Sequence, residues 1–247
     1  MVRHRVIRFA ELDSTNRHAL ANLTELADGD VIQADIQTAG HGRMNRPWVS
    51  HLPGNLCLTL VIKPRHAAPA SLPLANLSQL LALTVCRMLD GHGARATLKW
   101  PNDVLLDGRK IAGLLAETVV QGHTFGGMAL GLGVNLNLDA ATLATVSQPA
   151  TSLSEWTGSP VDADAFRDAL LEMFFRERDA LLEHGFGLIR DEYLARCGFL
   201  GREVEIRRGT ESLRGIAEDV DLEGALMIRT APDRIEPVAI GEMFLGS

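Results

Sequence analysis

Apolar residues recur along this chain at two periods, about 3.6 and two, and together they divide it into elements. Residues 4–9 read as a short strand. Asp13 or Ser14 can cap the helix that follows, whose apolar positions Ala19, Leu20, Leu23 and Leu26 recur at helical spacing up to Asp28-Gly29. Val31–Ile36 reads as a strand, and Leu56, Leu58, Leu60 and Ile62 alternate through another over 55–62. Leu72–Leu89 is apolar on more than one side and predicts a buried helix, with Pro73 in its first turn and Gly91 and Gly93 past its end. Asp107-Gly108 between two apolar runs is a hairpin signal, with a second arm over 111–120 and a further strand over 125–138. Pro101 is unsuited to a central strand and marks a bend.

Beyond these, 162–184 predicts an amphipathic helix with Phe166, Leu170, Phe174 and Leu181 on one side, followed by a second helix over 188–195. From Gly201 the texture changes to short β-like runs at 203–207, 211–217, 225–230 and 234–240, punctuated by Gly209, Gly224 and Pro232. The change predicts a boundary near residue 199, with a domain over 1–199 and a small β-barrel over 200–247.

Composition narrows the classes of function. A chain of 247 residues can bury a sizeable core, and 46% hydrophobic with 22% charged residues is ordinary for a soluble globular protein. The net charge of −7 argues against a general nucleic-acid binder, whose footprint is a basic face. Cys57, Cys86 and Cys197 are odd in number and lack metal-ligand spacing, which points to a reduced compartment, with the cytoplasm as the expected location. The N-terminus lacks the apolar run of a signal peptide, and no stretch of about 18 apolar residues exists to span a membrane.

Against that acidic background, three stretches carry candidate chemistry. Gln37-Thr-Ala-Gly-His-Gly-Arg-Met-Asn-Arg-Pro-Trp48 combines Gly40 and Gly42 with Arg43, Arg46 and one large ring. Glycines let backbone approach a ligand, and arginine forks match phosphate or carboxylate oxygens. This is either an anion-binding loop with an aromatic platform or a solvated basic turn whose Trp packs in the core. Around the 107–108 hairpin sit Lys99, Asn102, Asp103, Arg109 and Lys110. They can serve a nucleotide and its metal ion, or they are the solvated charges of a surface hairpin. Gly131 and Gly133 share one strand face with Asn135. They leave room for something against the backbone, though a bulge beside a buried Asn fits the same letters.

Taken in order, the set resembles the biotin protein ligase family. The matching motifs are Asp13-Ser-Thr-Asn16, Gln37-x-Ala-Gly-His-Gly-Arg-x-x-Arg-x-Trp48, Lys99-Trp-Pro-Asn-Asp103, Lys110-Ile-Ala-Gly113 and Gly131-x-Gly-x-Asn135. The resemblance implies an α+β fold: a mixed β-sheet catalytic domain covered by helices, like the class II synthetases, and then an SH3-like barrel. It implies a two-step ligase in which biotin and ATP, with Mg²⁺, give biotinyl-5′-AMP and pyrophosphate. A specific lysine of a biotin carboxyl carrier domain then takes the biotinyl group and AMP leaves.

Residue by residue, the resemblance implies that Ser14, Thr15 and Gln37 hydrogen-bond the ureido head of biotin, with Asn16 in the same motif. It places the backbone from His41 through Gly42 to Arg43 over the biotin tail. Lys110 bridges the carboxylate and the α-phosphate, with Arg43 and Arg46 as further fixed cations. Trp48 helps close the adenine pocket, Asn135 reads the adenine edge, and Lys99, Asn102 and Asp103 complete the ATP side. His41 and Met44 stand where the family most often has Arg, and Asn45 where Gly is common. Only 13 residues precede Ser14, too few for the DNA-binding domain of many relatives, so DNA-bound repression is not expected. A homodimer stays open. The alternatives are a lipoate-type protein ligase, sharing fold and adenylate chemistry, and a biotin-binding sensor without ligation.

Overall fold

The computed structural model describes residues 4–64, 74–122 and 124–245. Seven strands form one sheet in the order β1-β2-β3-β7-β6-β5-β4. They are β1 (Val6–Leu12), β2 (Val31–Gln37), β3 (Leu56–Ile62), β4 (Ala96–Lys99), β5 (Asp103–Leu106), β6 (Arg109–Gln121) and β7 (Thr124–Val134). Only β1 and β2 pair in parallel; the other neighbours are antiparallel, so the sheet is mixed. Every residue of β3 is buried, because helices cover both faces of the sheet there.

On one face lie α2 (Leu74–Asp90) and α5 (Ala163–His184), whose Leu80, Leu83, Phe166 and Phe174 join the main core with Leu58 and Leu60. The other face carries α1 (Thr15–Ala21), with a smaller core of Ala19, Leu26, Ile32, Val61 and Ala129. Two short helices, α3 (Ala140–Leu143) and α4 (Leu153–Thr157), follow β7, and α6 (Arg190–Arg196) leads out of this layer.

The second sheet, antiparallel and in the order β11-β10-β9-β8-β12, comprises β8 (Glu203–Arg208), β9 (Glu211–Val220), β10 (Leu226–Ala231), β11 (Arg234–Val238) and β12 (Glu242–Leu245). Its edge strands β11 and β12 do not pair with each other, so the expected barrel is not closed by hydrogen bonds. It docks through buried amides: Gln79 Nε2 donates to Gly224 O at 2.9 Å and Asn76 Nδ2 to Glu223 O at 3.0 Å.

Two boundaries differ most from the sequence expectation. Helix α1 stops at Ala21 because Asn22 leaves helical geometry and donates from Nδ2 back to His18 O at 2.8 Å. Leu26 still packs, from a turn. Strand β7 stops at Val134 because Asn55 Oδ1 accepts the N–H groups of both Leu136 (2.9 Å) and Asn137 (3.0 Å), drawing the chain out of the ladder. Strand β12 and helices α3 and α4 carry too short a pattern to register. Leu72 and Pro73 lie outside the described residues.

Candidate active site

The site begins as two adjacent rows across the middle of the mixed sheet. In the first, Thr59, Gly131 and Leu115 are register partners on β3, β7 and β6; in the second, Cys57, Gly133 and Gly113 are. Each row has glycine at its centre because another side chain lies there. A Cβ at Gly131 would sit 2.4 Å from Asn16 Oδ1, and one at Gly133 would sit 2.4 Å from Trp48 Cε2. The space foreseen at these glycines is therefore filled by the protein's own Asn16 and Trp48.

Over the first row lies a buried polar cluster. Ser14 caps α1, its Oγ accepting the Arg17 N–H at 3.4 Å. Gln37 Oε1 accepts from Thr15 N (2.8 Å) and Thr15 Oγ1 (3.1 Å). Thr59 Oγ1 lies 2.9 Å from Thr15 Oγ1 and 2.6 Å from Asn16 Oδ1. Asn16 Nδ2 donates to Leu115 O (3.1 Å) and Glu117 Oε2 (2.7 Å).

Over the second row lies the arginine loop. Trp48 N donates to Gly40 O at 2.9 Å and Gly42 N to Arg46 O at 2.8 Å, so the loop closes on itself. Gly40 is required by crowding, since a Cβ would meet Ser50 Oγ at 2.3 Å. At the tip Met44 and Asn45 both have φ of +56°. Asn tolerates that region, which suits Asn45 to the turn, whereas Met44 is strained there and 73% exposed. The His41 ring nitrogen Nδ1 lies 3.2 Å from Ala39 O.

Lys110 is aimed by a defect. The β5–β6 ladder pairs Val104 with Ala112 but Leu105 with Lys110, so Ile111 is an extra residue. Such a bulge shifts the alternation of faces, and it puts Lys110 on the side of Gly113, where a Cβ would touch Lys110 Cε at 2.9 Å. The turn before it, with φ of +51° at Asp107 and +72° at Gly108, is the two-residue hairpin foreseen. Lys110 Nζ lies 2.7 Å from Asp103 Oδ1 and 5.5 Å from the Trp48 ring centroid. Its backbone is gripped from outside the sheet, Lys110 N donating to Pro149 O (2.9 Å) and Thr151 N to Lys110 O (3.0 Å).

These parts line one cleft, holding Ser14, Thr15, Asn16, Gln37, His41, Gly42, Arg43, Arg46, Trp48, Lys99, Asn102, Asp103 and Lys110 together. Four lining cations face only two carboxylates, Asp103 and Glu242, in a chain of net charge −7. Asn102 Nδ2 is committed to Leu114 O at 2.6 Å. Asn135 does not line the cleft; it is buried behind it, donating from Nδ2 to Thr151 O at 3.1 Å.

The second sheet also reaches the cleft, which sequence reasoning missed. Arg43 Nη1 donates to Gly241 O at 2.8 Å, and Arg46 Nη2 pairs with Glu242 Oε2 at 2.6 Å. Burial holds the Arg43 guanidinium below its ordinary pKa, while the Glu242 bond raises that of Arg46. Burial likewise pushes the Cys57 thiol, beneath Trp48, up to about 12. Gln148 and Met243 are further lining residues without a sequence signal.

Comparison with known proteins agrees with this construction. Residues 8–135 match the model of the biotin/lipoate A/B protein ligase family, and 199–246 match that of the biotin protein ligase C-terminal domain. The chain is 37% identical over 239 residues to the biotin–[acetyl-CoA-carboxylase] ligase of Paracoccus denitrificans, covering 96% of this chain and 99% of that one. It is 32% identical to the bifunctional ligase/repressor BirA of Escherichia coli, over 96% of this chain and 72% of that one. A structure of the Aquifex aeolicus biotin protein ligase in complex with biotin and ATP superposes with a TM-score of 0.80 at 25% identity, covering 98% of each chain. From the two glycine-centred rows to the C-terminal sheet, this chain belongs to the biotin protein ligase family.

Proposed function

We infer that the protein activates biotin with ATP and transfers it to a lysine of a biotin carboxyl carrier domain. The observation that carries this is the two-part cleft. A neutral hydrogen-bonding pocket over Gly131 adjoins a cationic, Trp-floored pocket over Gly133, about 7 Å away along the strand. Lys110 stands at their junction. The first pocket suits a small polar head group and the second a nucleotide.

In the first half-reaction a biotin carboxylate oxygen attacks the α-phosphorus of ATP, and the bond to the β-phosphate bridging oxygen breaks. Two anions must meet, so fixed positive charge is the main catalytic contribution. Lys110 supplies it between carboxylate and α-phosphate, giving up Asp103 as its partner. Arg43 and Arg46 extend it over the loop side, and Lys99, which also lines the cleft, adds further charge. In the second half-reaction the carrier's lysine amine attacks the biotinyl carbonyl, loses a proton and expels AMP.

We assign Ser14, Thr15, Asn16 and Gln37 to the biotin head, His41, Gly42 and Arg43 to its tail, and Trp48, Asn102 and Asn135 to the adenine side. Asn135 acts there through Thr151 and the segment that holds Lys110. Among the described residues no three His, Cys, Asp or Glu side chains cluster as a metal site. Asp103 alone, beside the phosphate-binding cations, fits Mg²⁺ carried in on ATP oxygens, since that ion is commonly held by one carboxylate plus phosphates and water. Bound so, Mg²⁺ supplies further positive charge at the phosphates.

We propose that residues 1–199 form the catalytic domain and 200–247 a C-terminal domain that completes the cleft through Glu242 and Met243. Among the described residues no helix is long and apolar enough to cross a membrane, and the three cysteines are free and buried. The free cysteines support the cytoplasmic location that we propose. The test is pyrophosphate exchange into ATP with biotin, lipoate or no acid. Exchange with biotin alone is expected; exchange with lipoate would overturn the specificity, and binding of biotin without exchange would make the protein a sensor.

A further inference from the structure

In the polar cluster over Gly131 the direction of each hydrogen bond is fixed by its donors and acceptors, and one residue that fixes them does not touch the cleft. Asn16 presents one side of its amide to two pure acceptors, Leu115 O at 3.1 Å and the Glu117 carboxylate at 2.7 Å. That side must be the NH₂ group, so Oδ1 faces Thr59. Thr59 Oγ1 lies 2.6 Å from this oxygen and must give it its only proton. The same hydroxyl oxygen is 2.9 Å from Thr15 Oγ1. With the Thr59 proton spent, that contact holds together only if Thr15 donates to Thr59. Gln37 Oε1, the other near neighbour of the Thr15 hydroxyl at 3.1 Å, is also an acceptor. Both directions consume the Thr15 proton inside the protein and leave its lone pair for the cleft.

We propose that Thr59 is a positioning residue for substrate specificity: it fixes the Thr15 hydroxyl as a hydrogen-bond acceptor and so selects a head group presenting N–H there. Thr59 is wholly buried on β3 and is not among the cleft-lining residues. It acts through Thr15 and needs no contact with substrate. Ser14 complements it, because its oxygen accepts the Arg17 N–H and its own proton remains for an acceptor. One fixed acceptor beside one donor matches a cyclic urea, whose carbonyl is flanked by N–H groups. The inference rests on the biotin reading above. It adds that discrimination is set by the direction of a buried chain, Leu115 and Glu117 to Asn16 to Thr59 to Thr15.

The test is calorimetric binding, without ATP, of biotin and of the two cyclic carbamate analogues in which one urea N–H is replaced by oxygen. In the wild type, a ring oxygen facing Thr15 sets acceptor against acceptor, so at least one carbamate should bind roughly 100-fold more weakly than biotin. Thr59→Val removes the nearer of the two acceptors for the Thr15 proton, and the one that is left, Gln37 Oε1, is farther at 3.1 Å and already holds the Thr15 N–H. Thr15 can then turn its proton outward, and the ratio should fall below roughly tenfold, with a weaker affinity for biotin as well. Thr59→Ser should restore both values. Thr59→Ala, which leaves space where Val puts a methyl, should repeat the loss of discrimination if Val disturbs folding. Wild-type protein that binds biotin and both carbamates equally would overturn the proposal, as would full discrimination in either the Val or the Ala variant. Wild-type protein that binds no biotin would instead overturn the functional reading on which the proposal stands.

Discussion

Gly131 and Gly133 lie two residues apart on one strand, yet adding one methyl to each should damage different substrates. At Gly133 a Cβ would stand 2.4 Å from Trp48 Cε2 and 2.6 Å from both Cζ2 and Nε1, against 3.4 Å or more in ordinary contact. The backbone there is paired on both sides, with Cys57 and with Gly113, so it cannot retreat. The indole must therefore move by about 1 Å or more, and overpacking of this kind costs about 1–3 kcal/mol. If the ring is the floor of the nucleotide pocket, much of that cost reappears as lost ATP affinity, roughly 5- to 150-fold at 1.4 kcal/mol per decade. At Gly131 the same methyl would meet Asn16 Oδ1 at 2.4 Å and dislodge the cluster that organises Thr15. Steady-state pyrophosphate exchange separates the two. Gly133→Ala should raise KM for ATP about fivefold or more and leave KM for biotin within about twofold; Gly131→Ala should do the reverse. Equal effects of either variant on both substrates would refute the assignment of one row to each. So would a Gly133→Ala enzyme that is less stable but keeps its KM for ATP.

Other perturbations test the charges. Lys110→Ala should slow adenylate formation 100-fold or more, about 2.7 kcal/mol, in a single-turnover assay, because the cation at the junction of the two pockets is lost; an unchanged rate would remove Lys110 from the mechanism. Arg43→Gly should speed release of the adenylate by about tenfold, as the loop loses a half-buried cation tied to Gly241; filter retention of radiolabelled adenylate measures it, and a wild-type release rate would count against the role. Away from the site, Arg87 joins α2 to both α5 and α6 through Glu177 at 2.8 Å and Glu192 at 2.5 Å. Its bond holds the Glu192 carboxyl below its ordinary pKa. The stabilisation is therefore complete above the unfolded value of about 4.3 and is lost as pH falls through the lower folded value. The melting temperature of Glu192→Gln should lie below wild type at pH 7 and converge with it under acid; a gap that persists at pH 2 would exclude this linkage.

How far the sequence carries the argument depends on what makes a residue unusual. Trp48, Arg43, Arg46 and Lys110 stand out in an acidic chain of few aromatics, and Gly131 with Gly133 stands out in an otherwise apolar strand. The structure brings all six to one cleft. The long elements were equally readable, since α5, β3 and the turn at Asp107-Gly108 each repeat one pattern long enough to exceed chance. What stayed hidden has ordinary chemistry and acts through position. Asn55 ends β7 with one carbonyl oxygen, and nothing in its neighbours announces that two backbone N–H groups from 81 and 82 residues away will converge on it. Pro149 and Thr151 hold Lys110 by backbone groups, which every residue possesses. Glu242 meets Arg46 across 196 residues, from a strand too short to announce itself.

The same distinction explains why the glycines were read correctly in kind and incompletely in content. A missing Cβ reveals that something lies against the backbone but not whether it is ligand or protein. Here it is protein, Asn16 and Trp48, and that alters the chemistry. A ligand resting directly on the strand would meet only a glycine backbone whose N–H and C=O groups are already taken up by the ladders to β3 and β6. A ligand resting on Trp48, or on the Thr15 hydroxyl whose proton Thr59 has already taken, meets groups whose orientation was settled when the protein folded. Legible residues thus identify where substrates go, and the illegible ones decide how sharply they are told apart. Thr59, an unremarked threonine in a buried strand, is the position where that difference can be measured.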